Sequence, residues 1–172
     1  DYNFVVTMDA GMSHDPDALP RFFNHNPDID VVIGSRKNTE NVPLYRKTIS
    51  LMAKRVVNYA LTSSCFDISG PGIEDCTSGY RRYSRRACAL IAKARLRSKA
   101  FDFHMETLAM CYRAGMTVEE LPLHYVFSNS SFNKNVLKQA VKFGMHLIAT
   151  KGQSSKMGRR DGPLGSIVQK GR

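Results

Sequence analysis

Phe4-Val5-Val6-Thr7-Met8 is a short apolar, β-branched run ending at Asp9, the pattern of a buried strand. Asp15-Pro16-Asp17 opens a helix with acids at its positive end; it passes through Leu19, Phe22 and Phe23 and stops near Asn26-Pro27. Ile29 to Gly34 reads as a second strand, with Ser35-Arg36 at its carboxyl end and a polar loop from Asn38 to Pro43. Arg46 to Leu61 has helical periodicity, with Ile49, Met52, Ala53, Val56 and Ala60 on one face. A Ser/Gly/Pro-rich loop covers Ser63 to Gly72, and Asp75 to Tyr83 is irregular or strand-like. Helices are predicted over Arg85–Ala94 and Asp102–Ala114, the second closed by Gly115. Met116 to Leu123 is a strand whose Pro122 points to an edge. Asn133 to Thr150 is a last helix, on which Lys134, Lys138, Lys142 and His146 recur every four residues as one basic stripe. Leu137, Ala140, Val141, Gly144, Met145 and Ile148 fall on its opposite or flanking faces. Strands alternating with helices predict an α/β layered fold with a largely parallel sheet. Ligands of such sheets lie beyond the carboxyl ends of the strands, where Asp9 and Arg36 fall.

Composition bounds this picture. A chain of 172 residues, 42% hydrophobic and 23% charged, makes one globular domain and excludes a disordered or fibrous protein. Residues 151–172 hold five Gly and six Lys/Arg against one acid. They are expected to form a disordered basic tail after a folded unit over 1–150. No apolar run approaches a membrane span, and the first residues have no signal-peptide pattern. An opening strand without an initiator Met fits a chain that starts inside a larger fold. Cys65, Cys76, Cys88 and Cys111 show neither CxxC nor zinc spacing, so reduced thiols of a cytosolic compartment are expected. The formal charge of +10 is segregated: residues 1–40 hold three bases against seven acids, residues 41–172 hold 22 bases against eight. An acidic segment beside a basic field suits a metal and an anionic substrate, and equally a solvated basic surface. No aromatic-interleaved RNA-binding pattern is present, which disfavours nucleic acid as a partner.

Four segments carry chemistry. Met8-Asp9-Ala10-Gly11-Met12-Ser13-His14 puts an acid at a strand end. Mg²⁺ or Mn²⁺ against a diphosphate takes few protein oxygens, because phosphates and water complete the octahedron. Val31-Val32-Ile33-Gly34-Ser35-Arg36 is followed by a helix with Arg46 and Ser50 at i and i+4 near its N-terminus, where anions are favoured. Arg36 can add a bidentate phosphate contact. Glu74-Asp75-Cys76-Thr77-Ser78-Gly79-Tyr80-Arg81-Arg82-Tyr83 is the most specific block, its polar residues and Gly79 suiting a tight turn beside a phosphate–sugar pocket. Phe101-Asp102-Phe103-His104-Met105-Glu106 opens a helix whose Glu106 faces the site or stabilises the helix start.

These segments resemble the family 2 glycosyltransferases, and within them the dolichol-phosphate mannosyltransferase group. The first resembles the motif Asp-Ala-Asp-x-(Ser/Gln)-His, with Gly11 in place of the second Asp. The third resembles the block Asp-x-Thr-Ser-Gly-(Phe/Tyr)-Arg-x-Tyr almost unchanged, and the fourth resembles a Phe-x-x-Glu helix start, with His104 where Gln is common. Leu121-Pro122-Leu123-His124-Tyr125 resembles a Val-Pro-Ile-x-(Phe/Tyr) strand. After it the group's Arg and Gly-x-Ser-Lys are replaced by Ser128 to Lys134, where only Lys134 has a counterpart. The likeness covers residues 4–150 and implies the carboxyl portion of a GT-A domain, a mostly parallel sheet flanked by helices, without the nucleotide-binding amino half.

The resemblance implies inverting transfer of a hexose such as mannose, from a nucleotide-sugar such as GDP-mannose, to a polyprenyl or dolichyl phosphate. It assigns Asp75 and Arg81 to catalysis and Asp9 to a divalent metal, Mg or Mn, weakened by Gly11. Asp9, Ser13, Ser78, Gly79 and Glu106 fall to the nucleotide-sugar, and Arg36, Arg46 and Ser50 to the acceptor phosphate. It also implies peripheral contact with the cytoplasmic face of a membrane, with a membrane-anchoring subunit as a further partner. The competing expectation is an inactive truncated remnant that binds phosphate, a membrane or a partner protein.

Overall fold

The computed structural model describes residues 2–9, 14–40, 42–62, 70–98, 102–126 and 134–151. Strands β1 (Phe4–Thr7), β2 (Val31–Glu40), β3 (Arg81–Ser84) and β4 (Val118–Val126) form one sheet in the order β1-β3-β2-β4. Helices α1 (Leu19–Phe23), α2 (Leu44–Leu61), α3 (Arg85–Lys93), α4 (Asp102–Arg113) and α5 (Lys134–Ala149) flank it. β3 pairs antiparallel with both β1 and β2, and β2 pairs parallel with β4. Three strands therefore run one way and β3 alone runs back between two of them. The α/β expectation and the mostly parallel sheet both stand.

Strand alternation sorts the core into two layers. On one face Val31, Ile33 and Tyr83 meet Val57, Ala60 and Leu61 of α2, Met105, Leu108 and Ala109 of α4, and Phe143 and Leu147 of α5. On the other face Val32, Tyr80 and Leu123 meet Ala18, Phe22 and Ile29. Phe22 stacks on Tyr80 with ring centroids 4.4 Å apart. Each such side chain, fully removed from water, contributes about 1.5–3 kcal/mol.

The helix boundaries have local causes. Asp15 accepts a hydrogen bond from the Asp17 N–H at 2.9 Å and caps a 3₁₀ turn over Pro16–Ala18 that leads into α1. Ser84 caps α3 through the Ala87 N–H and donates its hydroxyl to Asp30. Gly115, at φ +71°, closes α4 in the left-handed conformation that an L side chain resists.

Three expectations change. β2 does not stop at Gly34; it continues past a bulge between Ser35 and Asn38 and pairs with β4 as far as Glu40. The expected loop over 38–43 is thus partly strand. Its residues are polar because this end is exposed, with Glu40 and His124 paired across the strands at 2.9 Å. In α2 burial falls on Val57, Asn58, Ala60 and Leu61, while Met52 is exposed. In α5 Phe143, Gly144 and Leu147 turn inward, whereas Val141, Met145 and Ile148 are exposed beside Lys142. Of the disordered tail expected over 151–172 only Lys151 is described, its N–H donating to the Ile148 carbonyl at 3.0 Å, and the rest lies outside the described residues.

Candidate active site

Because β3 runs against its neighbours, the segment entering it arrives at the carboxyl ends of β1 and β2. Asp9 follows β1, and Arg36 lies in β2 just past Gly34. Asp75 to Tyr80 lead into β3 at the same edge: the Gly34 N–H donates to the Tyr80 carbonyl at 2.8 Å, and the Thr7 hydroxyl to the Gly79 carbonyl at 2.8 Å. The sheet topology thus gathers three of the four sequence segments.

At the centre is a bidentate ion pair. Arg36 Nε donates to Asp75 Oδ2 at 2.6 Å and Nη2 to Asp75 Oδ1 at 2.7 Å. Nη2 also donates to the Thr77 hydroxyl at 2.6 Å, and that hydroxyl donates onward to Asp75 Oδ1 at 3.2 Å. The ring of Tyr125 lies 5.3 Å below the guanidinium. Glu120 of β4 accepts from the backbone N–H of Glu74 and Asp75 at 3.0 and 2.7 Å, which fixes the loop from behind. Burial opposes charge on both partners, but the Arg36 hydrogen bonds and charge outweigh it and hold the Asp75 carboxyl below its usual range. Arg36 is held above its ordinary value in the same way, against its own burial.

Asp9 sits beside this pair with a half-exposed carboxylate. His14 Nε2 lies 3.3 Å from Asp9 Oδ2, and its hydrogen bond is the leading reason that Asp9 titrates below its usual value. His14 itself is buried edge-on between the rings of Tyr80 and Tyr125, at 5.4 Å from each centroid. Gly79 is the floor between Asp9 and α4. A Cβ there would collide with Asp9 Oδ1 and come within 3.1 Å of His104 Nε2. Burial, followed by the charge of Arg81, pushes the His104 imidazole down to about 4, so it is neutral near pH 7.

Arg81, Ser78 and Glu106 stand back from this cluster. Arg81 is fully buried and donates to the carbonyls of Ser78, Cys76 and His104 at 2.8, 2.7 and 2.6 Å. Those bonds place it behind the site, tying the 75–79 loop to α4. Ser78 is also fully buried, its hydroxyl accepting from the Tyr80 N–H. Glu106 lies two residues beyond His104 on α4, hence on another face. Its carboxylate accepts the backbone N–H of Arg97 and Ser98 rather than facing the cluster. Arg46 and Ser50 lie one turn apart in the amino-terminal half of α2, Ser50 exposed. Ser13 and Gly11 lie outside the described residues. Sequence reasoning did not single out Thr77, Glu120, His14 or Tyr125 individually. The signal was present for three of them, since Thr77, His14 and Tyr125 stand within the quoted motifs.

No family model matches the chain. It is similar to the undecaprenyl-phosphate mannosyltransferase of Micrococcus luteus, 29% identical over 147 residues that cover 81% of this chain and 57% of that protein. It is also similar to the polyprenol monophosphomannose synthase of Mycolicibacterium smegmatis, 30% identical over 129 residues, 72% of this chain and 46% of that protein. The chain thus spans about half the length of the curated relatives it matches.

Proposed function

We propose, for a chain whose relatives support a family 2 glycosyltransferase of the dolichol-phosphate mannosyltransferase type, that it forms the acceptor-facing part of an enzyme moving mannose from a nucleotide-sugar to a polyprenyl phosphate. The observation that carries this reading is the convergence of Asp9 and the Arg36–Asp75 pair at the carboxyl edge of the sheet. In the reaction an acceptor phosphate oxygen attacks the anomeric carbon, the nucleotide diphosphate leaves, and the configuration inverts. That phosphate is already an anion, so the protein's task is to hold and orient it rather than to remove a proton. Arg36, with Arg46 and Ser50 on α2, is assigned to the acceptor phosphate. No observation favours the inactive-remnant reading over this one.

Asp9 is assigned to the donor side with GDP-mannose as the candidate donor. Among the described residues no cluster of three or more His, Cys, Asp or Glu side chains is arranged to hold a metal. The half-exposed Asp9 carboxylate fits a Mg or Mn ion as a single hard ligand, with oxygens of the diphosphate and water supplying the rest. When bound, such an ion would neutralise charge on the leaving diphosphate. Gly11→Asp is expected to raise Mn²⁺ affinity about tenfold or more, ~1.4 kcal/mol. Calorimetry on both proteins checks this, and equal affinities would remove Asp9 from the metal role.

The acceptor assignment is tested by titrating a short-chain polyprenyl phosphate into the protein. Arg36→Ala and Arg46→Ala should each weaken binding by ~1.5–3 kcal/mol, the range for a charged hydrogen bond. Lys93→Ala, on the exposed face of α3, should do little. Equal losses in all three would reduce the site to diffuse attraction.

The acceptor's lipid tail calls for a bilayer-facing surface, and α2 and α5 are assigned to it. The two helices pack together, with Gly144 against Val56. Together they carry seven Lys/Arg and no acid. Between those bases Leu44, Tyr45, Leu51, Met52, Val141, Met145 and Ile148 are exposed. The contact proposed for them is a peripheral one; no helix among the described residues is long and apolar enough to cross a membrane.

A further inference from the structure

We infer that Asp75 is a positioning residue, whose carboxylate holds one edge of the Arg36 guanidinium so that the opposite corner receives the acceptor phosphate. This deepens the reading of the site as a phosphate-binding one, and rests on it.

The hydrogen bonds around the carboxylate leave it little else to do. Oδ2 accepts from Arg36 Nε at 2.6 Å and from the Arg36 backbone N–H at 3.2 Å. Oδ1 accepts from Arg36 Nη2 at 2.7 Å and from the backbone N–H and hydroxyl of Thr77 at 3.3 and 3.2 Å. Five donors thus share two oxygens, so Asp75 has no lone pair free to take a proton from a substrate. The proposed acceptor needs no such base.

The same bonds fix which part of Arg36 is available. A guanidinium has five N–H donors in one plane. Nε–H and the two N–H of Nη2 go to Asp75 and Thr77. Among the described residues the Nη1 corner is the part that neither Asp75 nor Thr77 engages, and it is offered to an incoming oxyanion beside Tyr125, whose ring lies beneath the plane and whose hydroxyl also hydrogen-bonds the guanidinium. Relative exposure orders the pair: the Arg36 side chain is 24% exposed and that of Asp75 only 11%, so the cation stands outward and the carboxylate behind it. Asp75 is itself immobilised, because Glu120 holds its backbone N–H. The strands that carry Arg36 and Glu120 are neighbours in the sheet, so guanidinium, carboxylate and clamp form one rigid unit.

Positioning and simple charge make opposite predictions. Removing the carboxylate's negative charge raises the net positive charge beside the phosphate. Diffuse attraction would then tighten anion binding, whereas loss of orientation would weaken it. The test is Asp75→Asn in the whole chain, titrated by calorimetry and by NMR with inorganic phosphate and with a short-chain isoprenyl monophosphate. Weakening of the isoprenyl phosphate by about fivefold or more is expected, and Arg36→Lys added to Asp75→Asn should cost far less than it does alone. Thr77→Val removes the hydroxyl that bridges the pair without changing any charge. It should weaken binding in the same direction at an unchanged circular dichroism spectrum, and it carries the test if Asp75→Asn does not fold. Tighter or unchanged binding in folded Asp75→Asn, or in folded Thr77→Val where Asp75→Asn does not fold, would overturn the inference while leaving the phosphate site standing. A wild-type protein that binds neither phosphate, or that loses as much through Lys93→Ala as through Arg36→Ala, would overturn the site reading and the inference together.

Discussion

His104 shows how a single substitution relative to a family pattern sets a pH response. It stands where Gln is common in the resembling group, and burial with the nearby Arg81 charge holds its folded-state value near 4 against an ordinary 6.5. The unfolded chain therefore takes up a proton as pH falls below 6.5, while the folded chain does not until about pH 4. Stability is full above 6.5 and is lost progressively towards 4, after which the loss no longer grows. Thermal melts across that window should show a steeper decline for the wild type than for His104→Gln, and parallel curves would mean that the imidazole is solvated. Losses below that window belong to carboxylates held low in the fold, Asp9 and Asp75 among them. Residue chemistry was legible in the sequence where a motif named the position, as for Asp9, Arg36 and Asp75. It was not legible for the direction a side chain takes. Arg81 and Glu106 fit the pattern as functional residues, yet the first is consumed by three carbonyls and the second by backbone N–H groups.

At the scale of elements, the least self-sufficient piece is α1, only five residues long. Its carboxyl end and the turn into β2 are held by Arg82, whose guanidinium donates to the carbonyls of Phe22, His25, Asn26 and Ile29. Phe4 lies against the same guanidinium at 4.1 Å. Arg82 is fully buried, so Arg82→Met would leave several carbonyls without donors. A loss of about 3 kcal/mol is expected from urea denaturation, the scale for breaking a buried charged network. A loss below about 1 kcal/mol would mean that water replaces the guanidinium readily. Periodicity located all the longer helices, because each must bury a stripe. It underestimated β2, whose last residues pair with β4 but bury nothing, so hydrophobic patterning had no reason to mark them. It also reversed part of the Met52 face of α2, because the amino-terminal half of that helix stands clear of the sheet.

Over the whole molecule, charge and apolar exposure converge on the α2–α5 side. Co-sedimentation with vesicles containing anionic lipid should be strong at low salt and weak with neutral vesicles. Replacing the exposed Lys47, Arg55 and Lys142 by Gln should release the protein, at about 1 kcal/mol per charge, without altering its circular dichroism. Full sedimentation of the triple variant would move the contact to another surface. The segregation of charge was legible in the sequence, but the pairing of these two basic helices was not, because it depends on the close approach of Gly144 to Val56. The lone reversed strand has a consequence of its own for how such a chain can diverge. Arg81 and Arg82 leave β3 on opposite sides of the sheet, each into its own cage of carbonyls, with Tyr80 and Tyr83 filling apolar slots beside them. One residue inserted or deleted between Gly79 and Tyr83 would shift the register and drive a guanidinium into a slot built for an aromatic ring. This block can therefore drift by substitution but not in length.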